Sequence, residues 1–157
     1  MGNICRSPLA QGVLEHLAAE RGVREQLTIE SCGTGGWHVG ERPDPRTIDV
    51  ARRNGIVLSS RARRLDPRSD FHRFDLLLAM DRNNLESVLH EGGPAHKSML
   101  FRTFDPAARP DPESLLGNLE VPDPYHGGPD GFELGFKMIH RTAAALLDGM
   151  FPTSEQA

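Results

Sequence analysis

The sequence is poor in cysteine, in aromatic residues and in clustered basic charge. Its 157 residues include two cysteines, Cys5 and Cys32, one tryptophan and one tyrosine, and the formal net charge is −4. Two cysteines cannot form the disulfide framework of a small secreted domain, so both are predicted to be thiols in the cytoplasm. Because the chain lacks a concentrated basic segment, nucleic acid is not expected as a partner.

Long apolar segments are also missing. No apolar run approaches the roughly 18 residues that a membrane span needs, and the first residues lack the charged and then apolar pattern of a secretory signal. No membrane partner is therefore expected. With 38% hydrophobic residues the chain can bury one core, and its length is too short for two ordinary domains, so residues 1–157 are predicted to form a single domain.

Two helices are predicted in the first third of the chain. Ser7 is a favoured N-cap and Pro8 a favoured first helical residue, and the apolar residues that follow recur at helical spacing, which predicts a helix from Pro8 to about Arg21. Asp44-Pro45 repeats this opening and predicts a helix that ends at Asn54-Gly55.

Two further helices are predicted later in the sequence. One covers about Arg82 to His90, and the other runs from about Phe132 to Met150. Between them, the proline, aspartate and glycine content from Pro106 to Pro124 predicts a long irregular loop. The last helix carries one apolar stripe, which is expected to cover a sheet face and comprises Phe132, Phe136, Ile139, Ala143, Leu146 and Leu147.

Strands are predicted at Leu27–Ser31, which alternates apolar and polar residues, and at the buried apolar runs Asp75–Ala79 and Ser98–Phe101. Strands that alternate with helices predict an α/β fold with a parallel sheet, helices on both faces and a ligand site at the carboxyl ends of the strands. Such a domain normally enters its first helix from a central strand. Here residue 1 is already in a loop, so we expect that a first strand is missing from this chain.

The segment Gly2-Asn3-Ile4-Cys5-Arg6-Ser7 directly precedes the first predicted helix. The N–H groups of a turn and of a helix N-terminus converge there, which is a recurrent way to bind a dianionic phosphate. Arg6 can add a permanently charged, bidentate contact. By itself a short pattern of this kind is more often an ordinary turn.

The segment resembles the phosphate-binding motif of the low-molecular-weight protein tyrosine phosphatases: a cysteine, any residue, and then Gly-Asn-Ile-Cys-Arg-Ser-Pro. Met1 occupies the variable position, and the leading cysteine is absent. The resemblance implies a flavodoxin-like, three-layer doubly wound domain with a four-stranded parallel sheet. It also implies that Asn3 is held by side-chain hydrogen bonds and that the Ser7 hydroxyl supports the thiolate.

The nucleophile of this family lies six positions before the arginine, which places it just before Met1. Cys5 cannot replace it, because Cys5 is adjacent to Arg6 and the residue six positions after Cys5 is Gln11, which is not a cation. The resemblance assigns Cys5 to the family's auxiliary thiol, which in relatives forms a reversible disulfide with the nucleophile.

A phosphatase that uses a thiolate also needs a proton donor for the leaving group and a base for the hydrolytic water. Asp123 is the candidate, in Val121-Pro-Asp-Pro-Tyr125, where the two prolines stiffen the loop. The resemblance makes this the general-acid loop. Taken alone, Pro-Asp-Pro is more often a surface turn.

The substrate pocket is expected to have two aromatic walls. Trp37 lies in a glycine-rich loop after a predicted strand, where an exposed ring can pack against a phenyl group. Tyr125 is the predicted opposite wall. His126 stands where many relatives have a second tyrosine, and Ser60 stands where some have a histidine linked to the loop asparagine.

The residues suggest three functions, of which the third is disfavoured. In the first, the protein hydrolyses phosphotyrosine proteins or small aryl phosphates through a cysteinyl phosphate, with the cysteine just before Met1 and no metal or other cofactor, since the seven histidines show no metal-ligand spacing. In the second, the chain as printed is an inactive module that binds phosphate or phosphotyrosine. Arsenate reduction on the same fold is disfavoured, because residues 75–89 contain no cysteine for the required relay.

Overall fold

The computed structural model describes residues 2–108 and 119–152. The elements follow in the order α1 (Arg6–Glu20), α2 (Pro45–Arg53), α3 (Pro67–Arg73), β1 (Leu77–Ala79), α4 (Arg82–His90), β2 (Ser98–Leu100) and α5 (Pro129–Met150). Short 3₁₀ helices cover Arg24–Gln26, Ala95–Lys97 and Phe101–Phe104. Met1 and most of the predicted loop from 106 to 124 lie outside the described residues, and residues 119–124 form no helix or strand.

The sheet consists of β1 and β2, which pair in parallel with Leu77 opposite Ser98 and Ala79 opposite Leu100. Helix α4 connects the two strands, as a parallel pair requires. The structure therefore confirms the α/β class, the parallel sheet and the positions of these two strands. Residues 2–108 and 119–152 contain two of the four strands expected for the fold.

The predicted strand Leu27–Ser31 is not a strand. Its first residue has extended backbone angles, φ −124° and ψ 133°, but its alternating pattern finds no partner. The nearest pairing in the described residues is a single parallel bridge between Gly33 and Arg64. Alternation predicts a backbone that can join a ladder, and the ladder forms only where a neighbouring strand lies alongside.

Asp-Pro sequences begin two of the helices. Asp44 caps α2, as predicted, by accepting a hydrogen bond from the Arg46 N–H, with Pro45 as the first residue. Asp66 caps α3 in the same way through the Arg68 N–H. Helix α3 was not predicted, although Asp66-Pro67 is the same signal.

Helix α1 begins two residues earlier than predicted, at Arg6, and its N-cap is Cys5 rather than Ser7. The predicted capping role of Ser7 is therefore wrong. The Ser7 hydroxyl accepts a hydrogen bond from Asn3 Nδ2 at 2.7 Å, so its side chain is engaged with the preceding loop.

The core lies where α1, α2 and α5 pack together. The predicted apolar stripe of α5 is confirmed, because all six of its residues are buried. Helix α1 closely approaches residues 56–58: a Cβ at Gly12 would lie 2.2 Å from a Leu58 methyl group. Within the described ranges, no helix is both long and apolar enough to cross a bilayer.

A buried ion cluster connects β2 to α5. The Asp105 carboxylate is fully enclosed and accepts hydrogen bonds from Arg102 Nε at 2.9 Å and from Arg141 Nε and Nη2 at 2.6 and 2.8 Å. These contacts, with the Arg141 bonds foremost, hold the pKa of Asp105 well below its usual range. Arg102 Nη1 also donates to the Glu120 carbonyl at 2.9 Å, so the cluster anchors the segment that leads into Val121.

We predict that Asp105→Asn lowers stability by about 3 kcal/mol at neutral pH, because it leaves a buried arginine without its counter-charge. In thermal unfolding this corresponds to a decrease in Tm of roughly 6–12 °C. The control is Asp148→Asn, whose pair with Arg21 is exposed and should contribute less than about 1 kcal/mol.

The same variant tests the pKa of Asp105. A lowered folded-state pKa stabilises the fold above about pH 4, the ordinary carboxyl value, and this stabilisation is lost as the pH falls through the folded-state value. The stability difference between wild type and Asp105→Asn should therefore shrink below about pH 4. A difference that stays constant from pH 7 to pH 3 would contradict this assignment.

Candidate active site

The chain enters α1 through residues 2–5, of which residues 3–5 form consecutive bends. Helix α1 has no side-chain cap at Cys5 and no acidic residue in its first turn. Its first N–H groups are therefore not neutralised locally, and the positive end of the helix dipole faces the loop. This end of α1 is suited to bind an anion.

Asn3 fixes the shape of this loop. It has a φ of 60°, the positive value that an asparagine adopts at lower cost than most residues, and its side chain is buried. Asn3 Nδ2 donates to the hydroxyls of Ser7 and Ser31, and Asn3 Oδ1 accepts from the Arg63 N–H at 3.1 Å. The loop is thereby tied both to α1 and to two distant segments.

Gly2 has no space for a side chain. A Cβ at this position would lie 2.3 Å from Cδ2 of His38, whose ring covers the loop. His38 Nδ1 lies 2.8 Å from Glu41 Oε2. His38 was not predicted as a site residue, although its position directly after Trp37 was a signal that it lies near the site.

The Arg6 side chain is buried at 7% exposure and reaches across the site. Its Nη1 donates to the Val121 carbonyl at 2.7 Å and lies 2.8 Å from Asp81 Oδ2. Asp81 was not predicted as a site residue. Its place directly after a strand, at the carboxyl edge of the parallel sheet, was the signal that could have identified it.

Asp123 faces the same arginine. Its Oδ2 lies 3.8 Å from Arg6 Nη2, and its Oδ1 accepts a hydrogen bond from the Tyr125 N–H at 3.1 Å. The segment before it is held by the Val121 N–H, which donates to the Met80 carbonyl. The carboxylate is 30% exposed, so it can reach a ligand that enters from solvent.

The two predicted aromatic walls are exposed, as a substrate pocket needs. Trp37 is 76% exposed and Tyr125 is 42% exposed. The Arg46 guanidinium lies 5.6 Å from the centre of the Tyr125 ring, and His126 meets that ring edge to face at 4.9 Å. Both rings are accessible and can pack against a planar aromatic group.

Cys5 is the last residue of the loop before α1, and it is buried. Burial, with a further contribution from Asp44, raises its pKa to about 11. The neighbouring Ile4 carbonyl accepts a hydrogen bond from the Asp44 N–H at 2.8 Å, which fixes this part of the loop. At neutral pH Cys5 is therefore a protonated thiol, as expected for a cysteine that lacks the nucleophile's spacing to Arg6.

All nine predicted site residues line one cavity of about 660 Å³. They are Gly2, Asn3, Ile4, Cys5, Arg6, Ser7, Trp37, Asp123 and Tyr125. The fold therefore brings together residues that are up to 123 positions apart in the chain. Their individual roles in binding or catalysis remain predictions.

Known proteins are similar to this chain in sequence and in fold. The family profile described as low molecular weight phosphotyrosine protein phosphatase matches residues 1–154. The Schizosaccharomyces pombe protein of that name is 44% identical over 135 residues, which cover 84% of this chain and 81% of the relative. The low molecular weight protein-tyrosine-phosphatase of Streptomyces coelicolor is 41% identical over 149 residues, which cover 93% and 87%.

Among solved structures, a protein tyrosine phosphatase from Entamoeba histolytica with Hepes in its active site superposes with a TM-score of 0.83 at 29% identity. The match covers 96% of this chain and 92% of that chain. The sequence and the fold thus point to the same family.

The state of Cys5 can be measured by alkylation. Because its pKa is raised from 9.0 to about 11, the thiolate fraction at pH 7.5 should be about a hundredfold below that of an ordinary thiol. We expect Cys5 to react correspondingly slowly with iodoacetamide, as followed by peptide mass spectrometry. The urea-unfolded chain is the control and should react at the ordinary rate. Rapid alkylation of folded Cys5 would contradict the buried, protonated state.

Proposed function

The chain belongs to the low molecular weight phosphotyrosine protein phosphatase family, and we propose that it hydrolyses phosphotyrosine or other aryl phosphates through a cysteinyl phosphate. The single observation that carries the proposal is the convergence of Arg6, Asp123 and the N-terminus of α1 on one cavity with exposed aromatic walls. The nucleophile is a cysteine just before Met1. The substrates are phosphotyrosine proteins or small aryl phosphates, and the two free cysteines support a cytoplasmic location.

In the first step, the thiolate attacks phosphorus and an S–P bond forms while the bond from phosphorus to the aryl oxygen breaks. Arg6 and the N–H groups at the start of α1 stabilise the charge on the three non-bridging oxygens. Asp123 donates its proton to the leaving phenolate. The 3.8 Å separation between Asp123 and Arg6 Nη2 supports this arrangement, because the acid and the anion clamp must act on the same phosphoryl group.

In the second step, water attacks the phosphorus of the cysteinyl phosphate. Asp123, now a carboxylate, accepts the proton of the water, the S–P bond breaks, and the thiolate and inorganic phosphate are released. Trp37 and Tyr125 bind the phenyl ring of the substrate. Arg6 and the loop amides supply the electrostatic stabilisation in both steps.

A second candidate function is specific to residues 1–157: a module that binds phosphate or phosphotyrosine without turnover. The observation that favours it is Cys5, since a buried thiol with a pKa of about 11 does not provide the thiolate. We therefore expect residues 1–157 alone to bind oxyanions without hydrolysing aryl phosphates.

Binding can be tested by isothermal titration with orthovanadate. Residues 1–157 should bind it at one site, and Arg6→Lys should weaken this binding about tenfold to a hundredfold, because the lysine loses the charged fork. Arg21→Lys is the matched control, since Arg21 lies at the opposite end of α1 and pairs with Asp148. Equal affinity of wild type and Arg6→Lys would refute the anion site.

Catalysis is tested on two levels. First, the codon before that of Met1 should encode cysteine; a stop codon or another residue would leave only the binding module.

Second, in a polypeptide that carries this cysteine, Asp123→Asn should slow phosphotyrosine hydrolysis about 10²–10⁴-fold. Cys5→Ser should retain the first-step burst of aryl alcohol. Turnover by residues 1–157 alone that is abolished by Asp123→Ala would overturn the assignment of the nucleophile.

A further inference from the structure

Arg46 lies behind one wall of the candidate active site. Its guanidinium lies 5.6 Å from the centre of the Tyr125 ring and 4.6 Å from the centre of the Phe132 ring. Tyr125 lines the cavity, whereas Arg46 is not among the described residues that do. A guanidinium within about 6 Å of a ring centre is attracted by the π electrons of that ring. Arg46 is therefore placed to hold Tyr125 without lining the cavity itself.

Asp44 fixes the direction of the Arg46 side chain. Arg46 Nε donates to Asp44 Oδ1 at 3.0 Å and Arg46 Nη2 donates to Asp44 Oδ2 at 2.8 Å, so the contact is bidentate. The Asp44 side chain is 9% exposed, and its carboxylate also caps α2 by accepting a hydrogen bond from the Arg46 N–H. Surface ion pairs usually contribute little, because two mobile side chains must be immobilised. Here the cap already immobilises the carboxylate, so the bidentate pair can direct the guanidinium toward the two rings.

The pair of Asp44 and Arg46 is attached to two well-packed parts of the fold. The Asp44 N–H donates to the Ile4 carbonyl of the phosphate loop at 2.8 Å. Phe132, the second ring beside Arg46, is 3% exposed and lies near the start of α5. The position of Arg46 is thus set by the loop that precedes α1 and by a buried ring of another helix.

The Tyr125 ring depends on Arg46 for its attachment to the rest of the fold. In the part of the chain that the structure describes, this ring has one contact with a cation, Arg46, and one contact with another ring, that of His126. Because His126 is the next residue of the same loop, Arg46 provides the link to a separate element. The Tyr125 N–H donates to Asp123 Oδ1 at 3.1 Å. A restraint on Tyr125 therefore also restrains the carboxylate of Asp123.

We infer that Arg46 is a positioning residue of the candidate active site. Paired with Asp44, it holds the Tyr125 ring in the orientation against which an aryl group packs, and through Tyr125 it restrains Asp123. Because the ring is fixed before the ligand arrives, binding does not incur the entropy cost of ordering it. The fixed ring follows from the contacts of Arg46, and its use for an aryl phosphate rests on the proposed function. Arg46 thereby acts on the aryl group, whereas Arg6 acts on the phosphoryl group.

The position of the ring can be tested without a ligand. Tyr125 is the one tyrosine of the chain, so protein labelled with ¹³C in its tyrosine ring gives NMR signals from Tyr125 alone. We expect Arg46→Met, which removes the cation at similar side-chain length, to shift these signals toward those of free tyrosine and to narrow them. Arg52→Met is the matched control, since Arg52 lies on the same helix and its pair with Asp49 is exposed. Unchanged Tyr125 signals in Arg46→Met would overturn the inference.

Ligand binding by residues 1–157 provides the second test. Benzylphosphonate carries an aryl ring and has a CH₂ group in place of the bridging oxygen, so it is not hydrolysed, whereas orthovanadate has no ring. In calorimetry, Arg46→Met should weaken the binding of benzylphosphonate about tenfold and that of orthovanadate by less than about twofold. Arg52→Met should affect neither ligand. An equal loss for both ligands would overturn the inference, because it would indicate a general disturbance of the phosphate loop.

A conservative variant completes this test. Arg46→Lys keeps a cation near both rings and loses the bidentate contact with Asp44, so it should weaken benzylphosphonate binding about threefold and leave orthovanadate binding unchanged. Circular dichroism shows whether each variant folds. If Arg46→Met does not fold, Arg46→Lys decides, and equal benzylphosphonate affinities of Arg46→Lys and wild type would then overturn the inference.

The two ligands also separate this inference from the proposed function. If the wild type binds neither ligand, the proposed function is overturned, while the Tyr125 signals still test whether Arg46 holds the ring. If the wild type binds both ligands and Arg46→Met changes neither the affinities nor the Tyr125 signals, the inference is overturned and the proposed function is retained.

Discussion

The site depends on the position of one buried cation, Arg6. Its guanidinium joins three parts of the fold. These are the start of α1, which carries it, Asp81 shortly after β1, and the Val121 carbonyl in the loop that contains Asp123. A buried charge is tolerated only when it is paired and hydrogen-bonded, and both conditions are met here. The same contacts that satisfy Arg6 bring Asp123 within 3.8 Å of it. The contacts that compensate the buried charge of Arg6 therefore also place Asp123 beside it.

The aspartates of this region fall into two groups, which differ in exposure and in the groups that they contact. Asp81 and Asp105 lie with arginines inside the protein and fix backbone segments, Asp81 as the cap of α4 and Asp105 as the anchor of Arg102. Asp123 remains partly exposed on a loop held by these anchors. A carboxyl group that exchanges protons with a ligand needs such access, whereas a structural carboxylate needs enclosure.

Both cysteine thiols have surroundings that stabilise the protonated form. Cys5 is next to the anion site in sequence, yet its environment stabilises the neutral form, because burial and Asp44 outweigh the nearby cations. Cys32, which lines the same cavity, also has a pKa raised to about 11, chiefly by burial. Helix α1, which begins at the loop, packs against α5.

Much of the local structure could be predicted. Asp44-Pro45 specified the start of α2, and the spacing of Phe132, Phe136 and Ile139 identified the buried face of α5. The same Asp-Pro signal at residues 66–67 would have identified α3. These features depend on neighbours within about one helical turn, which the sequence places together by itself. The motif from Gly2 to Ser7 likewise identified the family.

Other features were decided by tertiary structure. Ser7 was expected to cap α1, but the helix begins at Arg6 and the Ser7 hydroxyl accepts a hydrogen bond from Asn3. Asn3 also bonds to Ser31 and to Arg63, so the loop is held by segments distant in the chain. Leu27–Ser31 has the pattern of a strand and lacks the neighbour that would make it one. The sequence by itself identified nine residues that line one cavity. Only the fold decided that Arg6 meets Asp81 and Asp123, because ion pairs between residues 75 or more positions apart depend on the packing of whole elements.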